Sequence, residues 1–223
     1  VGLVMIQPDL GTSIIILIGA GSIFWITGIN YKYFISAFAL VCAAIPVGWQ
    51  YLHNYQKERV YTFFNPERDP LGNGYHIMQS KIALGSGGLS GKGYLEGTQS
   101  HLNFLPEMHT DFIFTMFGEE FGFLGTIFLL IVYFSIILVS FNLAIKSRNS
   151  FGKYLSCGLT FLFFSHVFIN IAMVMGLLPV VGVPLPLISY GGSSMLATMI
   201  GFGLIMNCYI NRDIILAKEG FID

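Results

Sequence analysis

Four ionisable side chains of this 223-residue sequence stand out in or at the mouth of its apolar stretches: Asp111, Glu119, Glu120 and His166. Ionisable groups at membrane depth are costly, and so mark function by default. Asp111 stands where a long polar stretch meets a long apolar one. Its type and place suit two roles. It can cap a helix by accepting backbone N–H bonds, or it can act as a general base at the mouth of a cavity. A carboxylate partly withdrawn from water becomes more basic, which suits a base working near neutral pH. On a continuous helix Glu119 would lie roughly 12 Å deeper and about 80° around, with Thr115 between, so Asp111, Thr115 and Glu119 form one expected polar strip. Glu120 falls on the other side. Either glutamate could instead anchor a neighbouring helix. His166, with Asn170 one turn later, reads as interhelical hydrogen bonding.

Glu107-Met108-His109-Thr110-Asp111 crowds three potential metal ligands. It lacks metalloprotease spacing, so a protein-only metal site is not expected. A loosely held divalent ion, shared with phosphate oxygens, is compatible with the composition. Lys57, Arg59, Lys81 and Lys92 in the same polar stretch could hold an anionic head group through charge-assisted bonds. Solvated loop charge is the plainer reading of each.

These residues must be positioned by elements whose solvent is mostly lipid. Hydrophobic residues make up 54% of the chain and charged ones 10%, where soluble domains carry roughly 25% charged residues. The net charge of −1 gives no basic surface for nucleic acid. Cys42, Cys157 and Cys208 all lie in apolar segments, odd in number and without a C-x-x-C pair, so they read as small buried hydrophobes. Spanning helices need about 20 apolar residues. Five candidates follow: residues 11–29, 33–52 (kinked at Pro46), 112–145 (long enough to overhang the bilayer), 154–178 and 193–210. The expected fold is an all-α polytopic membrane bundle, one membrane domain over residues 1–223 with a long loop over 53–111. The opening Val1-Gly2-Leu3-Val4-Met5-Ile6 reads as the tail of an earlier helix, which suggests the C-terminal part of a longer protein.

Short connections carry the orientation signal. Lys32, the Lys146-Ser147-Arg148 connection with Lys153, and the tail with Arg212 and Lys218 fall on one side if five helices alternate. That side is expected to be cytoplasmic and the long loop outside. Within the loop, Tyr75, Met78 and Ile82 recur at helical spacing, so a short amphipathic interfacial helix is expected. The glycine run Gly85-Ser86-Gly87-Gly88-Leu89-Ser90-Gly91-Lys92-Gly93 is no phosphate-binding P-loop, because Ser86 stands where glycine is needed and Gly93 follows the lysine. It is either a flexible loop or a backbone that allows close approach. Pro179, Pro184 and Pro186 cannot all sit in a regular helix. With Gly191-Gly192 they predict a re-entrant cavity wall, since irregular backbone at this depth must be buried by protein or line a cavity.

Several long motifs, in order, resemble the SEDS family (shape, elongation, division and sporulation). They are Gln7-Pro8-Asp9-Leu10-Gly11-Thr12, Asp69-Pro70-Leu71-Gly72-Asn73-Gly74-Tyr75, Gln79-Ser80-Lys81-Ile82-Ala83-Leu84-Gly85-Ser86-Gly87-Gly88, His109-Thr110-Asp111-Phe112-Ile113-Phe114 and Gly118-Glu119-Glu120-Phe121-Gly122. To these are added Asn170 and the run from Gly176-Leu177-Leu178-Pro179 to Ser189-Tyr190-Gly191-Gly192-Ser193-Ser194. The wording Phe104-Leu105-Pro106-Glu107 resembles the rod-shape branch of the family more than the division branch. The resemblance implies a bundle of about ten helices, of which this chain holds the later half. It implies polymerisation of lipid II (an undecaprenyl-pyrophosphate disaccharide peptide) on the outer face of the cytoplasmic membrane. A class B penicillin-binding protein and other cell-wall elongation proteins are the implied partners. It matches the family's essential loop aspartate to Asp111, as base for the acceptor sugar hydroxyl. Candidate substrate contacts are Lys81, Gln79, Arg59, His109, Thr110, Glu119, Ser189 and Ser193. No resident cofactor is expected beyond a divalent cation such as Mg2+ or Mn2+. Two other functions fit the composition: a flippase for the lipid-linked sugar, and a non-catalytic scaffold of the elongation complex.

Overall fold

A computed structural model describes residues 4, 10–51, 54–66, 69, 72–98 and 109–213. They form seven helices: α1 Leu10–Ile26, α2 Tyr31–Tyr51, α3 Asn54–Phe64, α4 Asn73–Ser86, α5 Ile113–Ile145, α6 Ser150–Val174 and α7 Gly192–Ile210. No strand occurs among the described residues. Three of the helices, α5, α6 and α7, are long and apolar enough to cross a membrane. Shorter apolar stretches, Gly11–Ile26 and Tyr31–Ala44, come from α1 and α2. The chain is a multi-pass, all-helical membrane protein.

Local chemistry sets the helix ends. Gly28 turns the chain out of α1 at φ 80°, and Asn30 Oδ1 accepts the backbone N–H of Lys32 at the start of α2. Asn149 caps α6 by accepting from Phe151 N at 3.0 Å. Gly176, at φ 71°, closes α6, and the N–H groups of Leu177 and Leu178 both return to the Ala172 carbonyl.

α6 is the hub and packs on α1, α4, α5 and α7. In lipid, helices associate through close van der Waals contact at small residues rather than through water exclusion. Gly158 accordingly faces Ile23, and Gly19 faces Leu162, which sets α1 antiparallel to α6. The central cluster joins Ile77 of α4, Phe112, Phe114, Leu129 and Tyr133 on the α5 side, Phe163, Val167, Met173 and Val174 of α6, and Val180 and Leu185 of the proline-rich segment. At one end, Arg148 lies 3.5 Å from Asp213, and Gly152 adjoins Cys208. The α1–α2 turn shares this end, since α1 runs antiparallel to α6. Asp111 and the proline-rich segment occupy the other end.

One sequence expectation is corrected. Residues 112–145 do not form one overlong helix. Gly122 breaks α5 with φ 64° and ψ −162°. Residues 123–145, about 34 Å at 1.5 Å per residue, then suffice to span a hydrocarbon core of about 30 Å. The expected loop helix is present as α4, with Met78 and Ile82 exposed and Ile77, Ser80, Ala83 and Gly87 turned inward. Small side chains win that face because α4 lies so close to α5 that a Cβ on Gly87 would strike the Gly118 carbonyl.

Candidate functional site

The site is assembled from the end of the long loop, the upstream part of α5 and the segment between α6 and α7. A helix broken at Gly122 strands backbone groups that lipid cannot satisfy. The glycine-rich loop after α4 takes them. Lys92 N and Gly93 N donate to the Glu119 and Glu120 carbonyls at 3.0 and 3.1 Å, and Phe123 N and Leu124 N donate to the Gly88 and Leu89 carbonyls at 2.9 and 3.1 Å. Gly91 (φ 80°) can approach because it has no Cβ to strike the Glu120 carbonyl. The glycines thus serve close approach, and what they admit is α5 itself. Lys92 Nζ completes the join at 2.6 Å from Glu119 Oε1, with Thr98 Oγ1 bonded to both.

The upstream part of α5 is tied inward. Thr115 Oγ1 bonds Ser80 Oγ at 2.7 Å, and Ser80 Oγ donates to the Val174 carbonyl at 2.9 Å. Thr115 and Glu119 are fully buried. The expected strip of Asp111, Thr115 and Glu119 therefore does not line one open wall, because its two deeper members face α4 and the glycine loop. Asp111 is not the helix cap either. Phe112 occupies that position, and no side chain caps it.

Three consecutive carbonyls at the loop's end are captured instead. The His109 carbonyl accepts from Tyr190 N at 2.8 Å. That of Thr110 accepts from Ser189 Oγ at 2.6 Å. The Asp111 carbonyl accepts from Asn170 Nδ2 at 2.9 Å. The capturing segment is itself braced: Asn170 Nδ2 also reaches the Val183 carbonyl at 2.6 Å, Leu185 N donates to Ser189 Oγ at 2.7 Å, and Tyr133 Oη donates to the Pro186 carbonyl at 2.6 Å. The irregular backbone expected of this proline-rich segment is present and hydrogen-bonded. Against it the Asp111 side chain is half-buried, and its Oδ2 lies where a Cβ on Gly182 would be 3.3 Å away.

The other sequence candidates distribute as follows. His109 is exposed and Thr110 half-buried, both flanking Asp111. Lys81 is exposed, with its ammonium against Gly176 at the start of the capturing segment. Gln79 is half-buried on α4 and Arg59 half-buried on α3. Ser189 is buried and acts on backbone; Ser193 is exposed at the start of α7. Glu119, buried and paired with Lys92, anchors the loop rather than facing the opening. His166 bonds the Leu162 carbonyl of its own helix at 2.9 Å. It lines a cavity of about 160 Å³ between α6 and α7 with Pro184, Pro186 and Phe202. Asn170 and Ser189 act at the site through backbone carbonyls, a role their types did not announce; a buried amide beside a proline-rich run was the available signal. Glu107, the Gln7-Pro8-Asp9 motif and Lys218 lie outside the described residues. Among the described residues, no three His, Cys, Asp or Glu side chains gather as metal ligands.

On α4, His76 has its pKa lowered by burial, partly countered by the charge of Asp69. Its ring lies 6.4 Å from that of Phe112, the neighbour of Asp111.

Comparison with known proteins is specific. The family model described as "Cell cycle protein", covering FtsW, RodA and SpoVE, matches residues 1–213. The peptidoglycan glycosyltransferase MrdB of Escherichia coli K12 is 50% identical over 211 residues, 94% of this chain and 57% of that protein. Peptidoglycan glycosyltransferase RodA of Treponema pallidum is 41% identical over 192 residues, 86% of this chain and 43% of that one. The chain thus spans about half the length of the curated relatives it matches. A chain from a peptidoglycan synthase complex, solved for how polymerization and crosslinking are coordinated, superposes with TM-score 0.78 at 30% identity, over 96% of this chain and 59% of that chain. An aspartate-to-alanine mutant of the Thermus thermophilus rod shape determining protein RodA superposes with TM-score 0.63 at 26% identity, over 96% of this chain and 54% of that chain. On the matched length, the ordered motifs and the shared fold, the chain belongs to the SEDS family of FtsW, RodA and SpoVE proteins.

Proposed function

We propose that this chain carries the outer-face catalytic half of a peptidoglycan glycosyltransferase that polymerises lipid II during cell elongation, with Asp111 as general base. The observation that carries the reading is the capture of the His109, Thr110 and Asp111 carbonyls by residues 170 and 189–190, which leaves the Asp111 carboxylate half-buried beside Gly182. Positioning a base before the substrate arrives is the larger part of what such a site must do. The names of the relatives give the reaction class.

In the proposed step, Asp111 takes the proton of the acceptor sugar hydroxyl. The oxygen forms a bond to the donor's anomeric carbon from the face opposite the lipid pyrophosphate. The anomeric C–O bond breaks, its electron pair leaves with the pyrophosphate, and configuration inverts. Lys81 and Arg59 are the cations proposed for the pyrophosphate charge, with His109 and Thr110 beside the acceptor and Gln79 and Ser193 at the margin. Ser189 and Glu119 support the site through backbone and loop. The described residues do not form a protein-only metal cage, so a divalent cation would draw its remaining ligands from pyrophosphate and water.

The basic connections share one end of the bundle and Asp111 the other, which supports an outward-facing loop and a cytoplasmic C-terminus. A class B penicillin-binding protein is the proposed partner, in keeping with the synthase complex in which the matching chain was solved. The test is glycan polymerisation by the full-length protein on purified lipid II, comparing wild type with Asp111→Asn and Asp111→Ala. Loss of polymer in both variants is expected. Wild type that makes no polymer but moves lipid II across liposomes would establish the flippase instead.

A further inference from the structure

We propose that Asn170 is a positioning residue, the side chain that sets where the Asp111 carboxylate sits; this rests on the assignment of Asp111 as base. Asn170 is fully buried on α6. Its single nitrogen donates to two backbone carbonyls far apart in sequence, those of Asp111 at 2.9 Å and Val183 at 2.6 Å. The amide oxygen has no hydrogen-bond partner among the described residues. A buried amide with one end idle is held for the other end: the two donors are the reason for the residue type.

The tie fixes register between two strands of irregular backbone. Val183 follows Gly182, whose φ of 73° and missing side chain leave room for Asp111 Oδ2. Moving residue 183 relative to 111 would shift the carboxylate against Gly182. Ser189 makes the parallel tie one residue upstream, between the Thr110 carbonyl and Leu185 N. Asn170 differs in acting on the peptide group of Asp111 itself. The geometry also explains why near relatives of the side chain would serve poorly. Leucine fills similar space but has no donor. Glutamine keeps both donors one methylene further out. Ionised aspartate would set a charge against two carbonyl oxygens.

The test uses full-length protein with purified lipid II, and variants Asn170→Leu and Asn170→Gln. Turnover is measured against pH and lipid II concentration. In parallel, carbodiimide labelling of Asp111 is followed by mass spectrometry, which reads the carboxylate without activity. For Asn170→Leu we expect kcat to fall on the order of 10- to 100-fold with KM nearly unchanged. Its pH–kcat midpoint and the midpoint of Asp111 labelling should both move by about half a unit or more. Asn170→Gln should lie between Leu and wild type on every reading. A merely structural role would lower kcat with the folded fraction and leave both midpoints in place, and that result would overturn the proposal. Should Asn170→Leu fail to fold, Asn170→Gln with unmoved midpoints overturns it equally. If Asp111→Asn polymerises normally, the assignment of the base fails; the labelling midpoint then still reports whether Asn170 sets the carboxylate.

Discussion

Lys92 Nζ lies 2.6 Å from Glu119 Oε1, and the glutamate is fully buried. This pair closes the join between the glycine-rich loop and the break in α5. A buried ion pair gives little net stability, but removing one partner leaves an uncompensated charge. Lys92→Met should therefore lower stability by about 3–5 kcal/mol. Glu119→Gln, which can still accept a hydrogen bond, should cost only about 1 kcal/mol. Thermal unfolding in detergent measures both. Equal costs would show that the pair's charge is immaterial.

Neighbouring glycines should respond with opposite signs. Gly87→Ala drives a methyl group into the Gly118 carbonyl, and Gly122→Ala adds strain at φ 64° to a clash with the Gly91 peptide. Each should destabilise by at least about 1–3 kcal/mol. Gly85 lies in α4 with open space around its Cα, so Gly85→Ala should stabilise by up to about 0.5–1 kcal/mol. A scan of the three variants by thermal unfolding checks the order. Tolerance of Gly87→Ala would mean that α4 and α5 are not in backbone contact.

Ser189→Ala removes the donor to the Thr110 carbonyl and the acceptor for Leu185 N. Leaving buried backbone groups unpaired costs about 1–3 kcal/mol. Because the lost bonds hold the loop that bears Asp111, polymerisation should fall more than the folded fraction does. Ser189→Thr should recover part of both. Activity that merely tracks the folded fraction would separate Ser189 from the site.

The pH dependence of stability has a definite sign at His76. Its folded pKa is lowered from 6.5 by burial, which outweighs the charge of Asp69. Above pH 6.5 both states are neutral and the contribution is fully present. As pH falls below 6.5 the unfolded chain takes up a proton that the folded chain resists, so stability drops until the folded pKa is passed. The thermal midpoint should decline less between pH 7.5 and pH 5.5 in His76→Gln than in wild type. An equal decline would remove His76 as a source.

How much of this was legible follows from which forces act locally. Helix positions were readable because lipid demands long apolar runs, but the spans read as 11–29 and 154–178 ran past Gly28 and Gly176, where the chain turns out of α1 and α6. The proline run announced irregular backbone at Pro179, Pro184 and Pro186. The break at Gly122 was not readable, since it costs nothing in apolar pattern and is stabilised by the carbonyls of Gly88 and Leu89, some 35 residues upstream. The face that α4 turns to α5 was not readable for the same reason. Met78 and Ile82 carry the stronger apolar signal, yet Ser80, Ala83 and Gly87 fit the closer contact. Asp111 stood out by type and place, but Asn170 and Ser189, which bond its strand, did so through backbone atoms that side-chain spacing does not reveal.

The central claim is that Asp111 is the base of a lipid II polymerase. The most direct measurement is glycan polymer formed from purified lipid II by full-length Asp111→Asn protein shown to be folded. Asparagine keeps the shape and the Asn170 tie, which acts on the backbone, but cannot take the acceptor's proton. Polymer should fall to background at every pH. Wild-type polymerisation by Asp111→Asn would contradict the claim.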